Sequence, residues 1–434
     1  MNRSMLKRLS ILLCLLSTNA MAQRLTLQEA IAKALQHNFD IRIADVNVQQ
    51  AVRNNTIGNA GMLPWVDANG FYRIGTANVV NQLSNGTEQV RPNAATSGLG
   101  ASVDATWTIF DGGRMFLVKK QLNETEELAR VQLKARIQST VSQVVQAYAA
   151  VVWRQQQQVA IDTGIGLAAT RMNISQVQYE SGSSAKVDFL QAKVDHNLRR
   201  TDSFNQKALV VQSLAGLNVL LGEESENFYA VEDSLQLNLK LHPVDKERLK
   251  EINISIDSAR RVAELSKLNA RIARTYQLPV VSLDASYNFT RNTSAAGFAL
   301  FSRSFGPTGG INVNVPLFRG GNLRREAKVA SLQAMRDELA FEKQNTEVSR
   351  RYRTGWRNYE MAVAAYLLQR ENIQYAKENV DIQRARFRAG VATTIETREA
   401  ERSYVEALGN LYTAAYNVKV NETIVLELEN RLVQ

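Results

Sequence analysis

The chain repeats itself: Trp107-Thr-Ile-Phe-Asp-Gly-Gly-Arg114 recurs 208 residues later as Val315-Pro-Leu-Phe-Arg-Gly-Gly-Asn322. A second motif, Tyr179-Glu-Ser-Gly-Ser-Ser-Ala-Lys-Val-Asp188, recurs at the same separation as Phe387-Arg-Ala-Gly-Val-Ala-Thr-Thr-Ile-Glu396. Two motif pairs with one separation mean that the segment between them is matched without a net insertion. A constant offset of this kind indicates an internal duplication.

The duplication divides the mature chain into two structural repeats, predicted at 23–238 and 239–434. A weaker match supports it upstream, where Leu63-Pro64 recurs as Leu278-Pro279 after 215 residues, so the first copy carries seven extra residues before its glycine motif. Two independent tandem domains are the alternative. We favour repeats because the long helices predicted below leave neither half a compact core of its own.

The first residues predict an export signal. A positively charged start is followed by the apolar run Leu9–Leu16 and by small residues at Ala20 and Ala22, so residues 1–22 are predicted to be a cleaved signal peptide. The apolar run is too short to span a bilayer. Cys14 lacks the preceding small residues of a lipid-attachment signal, and we therefore expect cleavage without lipidation.

Composition excludes several classes of function. Cys14 is the only cysteine, so the mature chain has no disulfide or thiol chemistry. Removal of the three signal-peptide cations lowers the net charge from +10 to +7, and the remaining Lys and Arg are interspersed with acids, which argues against nucleic-acid binding. The histidines are isolated and no nucleophile–base–acid set stands out, so we expect no metal site, no cofactor and no enzyme.

Each repeat is predicted to open with a helix. The first has a capping-box pair, Thr26 and Glu29, and is predicted over 25–61; its counterpart is predicted over 243–278. A proline follows each helix and ends it, because proline cannot continue the helical hydrogen bonds. These prolines are Pro64 and Pro279.

A proline-free segment of about 66 residues follows in each repeat, at 113–179 and 321–388. As a helix it would be roughly 100 Å long. Apolar residues recur at spacings of three and four, which is typical of a coiled-coil seam. The seam residues include Val141, Val144, Tyr148, Val151, Val348, Tyr352 and Tyr359. Interior glycines at 164, 166 and 355 allow a kink that the sequence does not locate.

Each long helix ends at a glycine in a short loop. Gly182 and Gly390 are predicted to supply the left-handed conformation that lets the chain reverse. Returning helices are then predicted over 187–221 and 395–429. Each repeat therefore has a helical hairpin that is remote in sequence from its strands.

Period-two alternation of apolar and polar residues predicts four strands, with exposed polar loops at 78–98 and 291–310. The strands are predicted at 66–74, 99–109, 281–289 and 311–317. Such alternation fits a membrane β-barrel, apolar towards lipid and polar towards the lumen, and equally fits a half-buried soluble sheet. The export signal favours the membrane.

Four strands are too few to close a membrane barrel, since the smallest barrels have about eight. Other copies of the chain must therefore complete the sheet. Three copies would give twelve strands and four copies sixteen, and the strands alone do not decide between them. The junctions between this barrel and the helices are predicted at Pro64, Gly112, Pro279 and Gly320.

The order of these motifs resembles that of the TolC-type outer-membrane efflux proteins. The resemblance rests on the signal, on Leu-Pro before each first strand, on Phe110–Gly113 and Phe318–Gly321 at the start of the long helices, on the two glycine tips, and on Leu-Leu-Gly-Glu at Leu220–Glu223. No single motif is specific, but their order and duplication are. The resemblance covers essentially the whole mature chain.

The resemblance implies a mostly α fold with a membrane β-barrel portion: a TolC-like homotrimer with twelve strands in the outer membrane, among outer-membrane lipid, and a periplasmic tunnel of coiled-coil helices. It also implies a passive exit duct for small molecules, as in multidrug export. An inner-membrane pump of the RND or ABC type would deliver them through a periplasmic adaptor protein.

Three alternatives remain at this point. The outlet of a type I protein-secretion system keeps the architecture and changes the cargo. A periplasmic adaptor would have one helical hairpin in a compact β-domain, and a passive porin would be nearly all β. The duplicated hairpins argue against the last two.

The resemblance further implies a closed entrance gate at the hairpin tips. Position by position, an acidic gate residue falls on Asp188, and inner acidic rings fall on Glu396 and Glu399. A gate tyrosine falls on Phe387, which keeps the ring and lacks the hydroxyl. Simple capping of the returning helices by Asp188 and Glu396 is an alternative that is compatible with gating.

One gate residue of the family has no counterpart here. A gate arginine falls on Ala392, so its link cannot form in the same way. Another basic residue near the tips is expected to replace it. The candidates are Lys186, Arg388 and Arg398.

Overall fold

The computed structural model describes residues 24–224, 229–231, 234–296 and 300–433; the predicted signal peptide, 1–22, lies outside them. The described chain is mostly helical, with one four-stranded antiparallel sheet and one short parallel strand pair. This confirms the prediction of a mostly α fold with four strands, while the trimeric barrel stays a prediction. Each helix in these ranges is too short or too polar to traverse a bilayer.

The bounds of the elements follow the chain. In order they are β1 (Arg24–Leu25), α1 (Leu27–His37), α2 (Phe39–Asn54), β2 (Trp65–Gln82), β3 (Glu88–Phe110), α3 (Arg114–Glu180), α4 (Lys186–Leu221), β4 (Ala230–Val231), α5 (Lys246–Ile252), α6 (Ile254–Thr275), β5 (Val280–Ser294), β6 (Phe301–Asn314), α7 (Asn322–Arg388) and α8 (Thr394–Leu428).

The elements form two compact units. A helical unit contains the described residues of Met1–Val46, Gln132–Asp257 and Gln344–Gln434. A sheet unit contains those of Asn47–Val131 and Ser258–Lys343. Each unit takes segments from both halves of the sequence, and the two repeats stay a prediction.

Thr26 and Glu29 start α1 as predicted. The Thr26 N–H donates to a Glu29 carboxylate oxygen at 2.9 Å, and the Glu29 N–H donates to Thr26 Oγ1 at 3.2 Å. The amide of Thr26 thereby holds the pKa of Glu29 below its ordinary value. The predictions of single helices over 25–61 and 243–278 are wrong, because each region contains two helices, α1 and α2 or α5 and α6.

An asparagine makes each of these breaks. Asn38 has extended backbone angles; its Oδ1 accepts from the Ile41 N–H at 3.2 Å and its Nδ2 donates to the Leu220 carbonyl at 2.8 Å. Asn253 likewise accepts from the first turn of α6 and donates to the Leu428 carbonyl at 2.9 Å. Asparagine side chains offer the backbone an alternative to the helix. Here they also join the short helices to the ends of α4 and α8.

The longest helices match their prediction closely. α3 and α7 each contain 67 residues, and neither is interrupted at its interior glycines. The predicted seam is buried: Val144 and Val151 are fully enclosed, and the Tyr148 hydroxyl donates to the Leu25 carbonyl at 3.0 Å. These residues pack against Leu217 of α4. Full burial of such a side chain contributes about 1.5–3 kcal/mol.

Two seam tyrosines of α7 anchor the segment that precedes α5. Tyr352 accepts from the Val244 N–H and donates to Glu429 Oε1, both at 2.7 Å. Tyr359 donates to the Asn238 carbonyl at 2.8 Å. Burial raises the pKa of both hydroxyls, so both remain protonated donors at neutral pH.

The sheet has the strand order β2-β3-β5-β6, and each neighbouring pair is antiparallel. Its strands are longer than predicted. β2 and β3 continue to a turn at 83–87, so the loop predicted over 78–98 is mostly strand. The prediction of a loop over 291–310 is likewise wrong, since β5 extends to Ser294 and β6 begins at Phe301.

Main-chain hydrogen bonds explain the extra strand length. The Asn, Ser and Thr content of these segments suggested loops, but a ladder joins main-chain atoms and accepts any side chain that can remain exposed. The first hairpin closes with a hydrogen bond from the Leu83 N–H to the Thr87 carbonyl at 2.9 Å, with Gly86 in the left-handed region.

The register gives the sheet one apolar and one polar face. Trp107 pairs with Leu283 and Val103 with Tyr287, whereas the intervening Asp104 pairs with Ser286. The described strand order leaves β2 and β6 with one neighbour each. The sheet therefore has two edges whose main-chain groups lack a strand partner among the described residues.

Glycines and prolines occupy the predicted junctions. Pro64 and Pro279 stand directly before β2 and β5, and the glycines before α3 and α7 have positive φ: +71° at Gly112 and +59° at Gly320. A Cβ added at Gly112 would lie 2.7 Å from the Cβ of Leu278, whereas one at Gly320 would meet none of the described residues within 4 Å. Gly112 is thus required for a close approach as well as for its backbone angle.

Gly112→Ala is expected to destabilise the protein more than its matched control, Gly320→Ala. Both substitutions place alanine in the left-handed region, at about 1–2 kcal/mol. Only the first also drives a methyl group into Leu278, which adds roughly 1–3 kcal/mol of overpacking. Melting temperatures of the detergent-solubilised variants measure the difference. Equal melting temperatures would contradict the close approach at Gly112.

Candidate functional site at the helical hairpin tips

The two hairpin tips close in the same way. After α3, the Ser183 N–H donates to the Gln178 carbonyl at 2.8 Å and Gly182 has φ +75°. After α7, the Val391 N–H donates to the Arg386 carbonyl at 2.9 Å and Gly390 has φ +73°. Each is a Schellman ending, in which a left-handed glycine allows the chain to reverse. Both glycines thus have the left-handed backbone that was predicted for them, while their part in an entrance stays a prediction.

A hydrogen bond joins the two tips. Nε2 of Gln178, in the last turn of α3, donates to the carbonyl oxygen of Phe387, in the last turn of α7, at 3.3 Å. The ring of Phe387, predicted to stand at the gate tyrosine position, is buried, with 3% of the residue exposed. In the single chain this ring therefore packs inside the tip.

Asp188 lies in the first turn of α4 but is not its cap. The N-cap is Ala185, which has no side chain able to cap, and Asp188 accepts from the Ser184 hydroxyl at 2.9 Å. No basic side chain in the described ranges forms an ion pair with Asp188. Lys186, in the same turn, is exposed. The Asp188 carboxylate thus keeps acceptor capacity for a partner outside this chain.

Glu396 caps the other returning helix. It forms a capping box with Thr393, whose N–H and hydroxyl donate to Glu396 Oε2 at 2.7 and 2.9 Å. The Thr393 amide lowers the pKa of Glu396, so this exposed carboxylate stays ionised. Glu396 therefore takes part in capping α8, which was the alternative to gating. The Glu396 carboxylate nevertheless keeps its negative charge.

Glu399 lies one turn further along α8. Its carboxylate accepts from Arg402 at 2.7 and 3.1 Å, and this hydrogen bonding lowers the pKa of Glu399. Both residues are exposed. The Arg402 cation partly offsets the negative potential that Glu399 was predicted to supply.

The candidates for the missing gate arginine differ in availability. Ala392 itself is buried. Arg398 lies 3.8 Å from the Asp195 carboxylate and so already has an acidic partner. Arg388 ends α7 and is exposed, and no carboxylate in the described ranges pairs with it. Within the described part of the chain, Arg388 and Lys186 are thus the two candidates that form no ion pair with a carboxylate.

Sequence reasoning missed a buried ionic cluster near the tips. The Arg171 side chain, 1% exposed, donates to Glu401 of α8 at 3.0 Å and to Asp195 of α4 at 3.1 Å. It links three helices. A partial signal was present in the sequence, because Arg171 follows the apolar Leu167 and Ala168 at spacings of four and three, but the sequence does not identify its acidic partners.

Burial and the attraction of Arg171 have opposite effects on the Glu401 carboxylate. Burial raises the pKa of Glu401 despite the attraction of Arg171, and Glu401 Oε1 has no hydrogen-bond partner among the described residues. A buried ion pair is costly to break from one side, because the remaining charge stays in a poorly solvated place. Arg171 is thus the residue on which the packing of α3, α4 and α8 near the tips depends.

Arg171→Gln is expected to destabilise the protein by roughly 3–5 kcal/mol, since it leaves the buried Glu401 carboxylate without its paired cation, whereas the half-buried Asp195 keeps Arg398 nearby. Adding Glu401→Gln should recover part of the loss. The matched control is Arg402→Gln, which removes an exposed cation from Glu399 and should have almost no effect. Chemical unfolding of the three proteins measures this, and an Arg171→Gln variant as stable as the control would contradict the account.

Comparison with known proteins places this architecture in a family. The model of the outer membrane efflux protein family matches residues 30–223 and 247–428. Outer membrane protein TolC of Vibrio cholerae is 24% identical over 313 residues, which cover 68% of this chain and 69% of that protein.

Two solved structures share the fold. The Campylobacter jejuni CmeC outer membrane channel matches with a TM-score of 0.81 at 17% identity, covering 93% of this chain and 85% of that chain. A membrane protein from Pseudomonas aeruginosa matches with a TM-score of 0.77 at 16% identity, covering 93% and 90%. Since the family model matches well over half of the sequence, the chain belongs to the outer membrane efflux protein family.

Proposed function

We propose that three copies of this chain form the outer-membrane exit duct of a tripartite efflux system. The observation that carries the proposal is the four-stranded sheet, with an apolar face and two edges that lack strand partners among the described residues. Lipid offers the main chain no hydrogen-bond partner, so an open edge is not stable there. A twelve-stranded barrel closed by three copies removes every edge.

The helices supply the periplasmic tunnel. β3 ends at Phe110 and α3 begins at Arg114, and α3, α4, α7 and α8 give four long helices per chain, hence twelve per trimer. Large apolar side chains remain exposed on them, Phe204 on α4 and Leu368 on α7 among them. Contacts with neighbouring copies would cover these side chains.

The two halves of the chain, 23–238 and 239–434, act as structural repeats in this proposal. Asn38 and Asn253 support it, because they make the same break and lie 215 residues apart. The carbonyls to which they donate, Leu220 and Leu428, lie 208 residues apart. The same two separations, 215 and 208 residues, relate the Leu-Pro pairs and the glycine motifs of the sequence. The two hydrogen bonds therefore lie at equivalent positions of the two proposed repeats.

The hairpin tips form the closed entrance of the duct. Among the described residues, no cation pairs with Asp188 and no acid pairs with Arg388 or Lys186, so these charges suit links between neighbouring copies. Glu396 and Glu399 would line the entrance as six carboxylates per trimer. An inner-membrane pump and a periplasmic adaptor would open it, and the pump would supply the energy.

A trimeric channel in the outer membrane is the expected experimental outcome. The purified protein should form trimers in detergent and conduct ions in planar bilayers, and cells that lack it should become hypersensitive to drugs and bile salts. Membrane fractionation, native mass measurement and conductance recordings check these points. A water-soluble monomer without membrane association would overturn the proposal.

The acidic entrance is tested by Glu396→Gln combined with Glu399→Gln. Glutamine preserves the capping box at 396 and removes the charge, so the variant should fold normally and show weaker cation selectivity in planar bilayers. The control, Glu371→Gln with Glu378→Gln, removes two exposed charges further from the tip of α7. Equal selectivity of the wild type and the 396/399 variant would refute the acidic entrance.

A further inference from the structure

Two arginines face each other directly in the sheet. The register of β5 and β6 pairs Arg291 with Arg303, and the registers across β2, β3 and β5 place Tyr72, Leu99 and Arg291 in one row. Paired residues of an antiparallel sheet point to the same face. Both arginines therefore belong to the apolar face.

Phenylalanines border the two arginines. Phe289 pairs with Phe305 two residues along the same face. The guanidinium of Arg291 lies 5.1 Å from the ring centre of Phe301, and that of Arg303 lies 5.8 Å from the ring centre of Phe305. Contacts with aromatic rings favour a cation at these positions, and both arginines are exposed.

The described residues provide no counter-charge for either arginine. Throughout the ranges that the structure describes, no carboxylate forms an ion pair with Arg291 or Arg303. Like charges directly opposite each other destabilise a strand pair. An anion shared by the two side chains removes this repulsion, and the forked guanidinium group matches the geometry of phosphate oxygens.

We propose that Arg291 and Arg303 bind the phosphate group of a membrane lipid. The inference rests on the proposed function, in which the apolar face of the sheet contacts lipid. Arg291 lies three residues before the end of β5, and Arg303 two residues after the start of β6. At such strand ends a membrane barrel meets the headgroup region.

The surroundings favour a lipid over a free phosphate ion. A lipid phosphate brings acyl chains, and the phenylalanines beside the arginines offer these chains an apolar surface. A free ion would contact only the two guanidinium groups, in full competition with water. The site therefore selects an anion that is attached to an apolar group.

The test uses the purified full-length mature protein in a non-ionic detergent. The protein is titrated with diphosphorylated lipid A and, separately, with dephosphorylated lipid A. Native mass spectrometry measures the amount of lipid bound. Wild-type protein should bind the phosphorylated lipid at least about tenfold more tightly than the dephosphorylated one. Combined Arg291→Gln and Arg303→Gln should remove this preference. Excess inorganic phosphate should not displace the lipid.

The matched control is Arg73→Gln. Arg73 pairs with Gly98, one position from Leu99, so it lies on the opposite, polar face at nearly the same level of the sheet. Arg73→Gln removes one arginine charge from the polar face and should leave lipid binding unchanged, whereas either single substitution, Arg291→Gln or Arg303→Gln, should weaken it. Arg303→Lys retains the charge without the fork and should bind with intermediate affinity, which provides a second, conservative variant if the double substitution folds poorly.

Each outcome decides the matter. Loss of binding in the 291/303 variant but not in the Arg73 variant supports the site. Equal loss in both variants, equal binding of the two lipids, or displacement by inorganic phosphate overturns it. Planar-bilayer conductance of the same samples separates the two proposals: a conducting channel without this lipid preference refutes only the lipid site, whereas a protein that never inserts refutes both.

Discussion

The main-chain groups along the outer edges of β2 and β6 impose the constraint on which the rest of the molecule depends. Within the described strands each edge has a partner on one side only. Water can satisfy such groups, but lipid cannot, and an unsatisfied amide or carbonyl costs several kcal/mol there. An apolar sheet face of this kind is thus stable in a membrane only when further copies of the chain close the barrel. In the proposed duct, oligomerisation is therefore a condition for the sheet to enter a membrane.

The helical unit meets a different requirement, which is to hold very long helices in register by polar contacts at a few points. Asn38 and Asn253 fix the short helices to the ends of α4 and α8, and Tyr352 fixes the segment before α5 to α7. Near the tips, Arg171 joins α3, α4 and α8. Apolar seams alone would allow the helices to slide, because such contacts are not directional. Hydrogen bonds and buried ion pairs specify one alignment.

Sequence reasoning worked where a residue has a local structural consequence. Gly182 and Gly390 mark the tips, and an absence of proline with regular seam spacing marks α3 and α7. It failed at 78–98, because Asn, Ser and Thr fit an exposed strand as well as a loop. It missed the breaks at Asn38 and Asn253 because their carbonyl partners lie 182 and 175 residues away, and Arg171 because its partner Glu401 lies 230 residues away. Partners so distant are identified only by the fold.

Disulfide cross-linking between the two sheet edges tests the closed barrel most directly. The mature chain is expected to contain no cysteine, so Val66→Cys in β2 can be combined in turn with Gly309→Cys, Ile311→Cys or Val313→Cys in β6, with single-cysteine variants as controls. We predict that at least one pair cross-links different chains in outer membranes and gives a covalent ladder that ends at three chains. A ladder that ends at another number, or the absence of any cross-link between chains, would contradict the account.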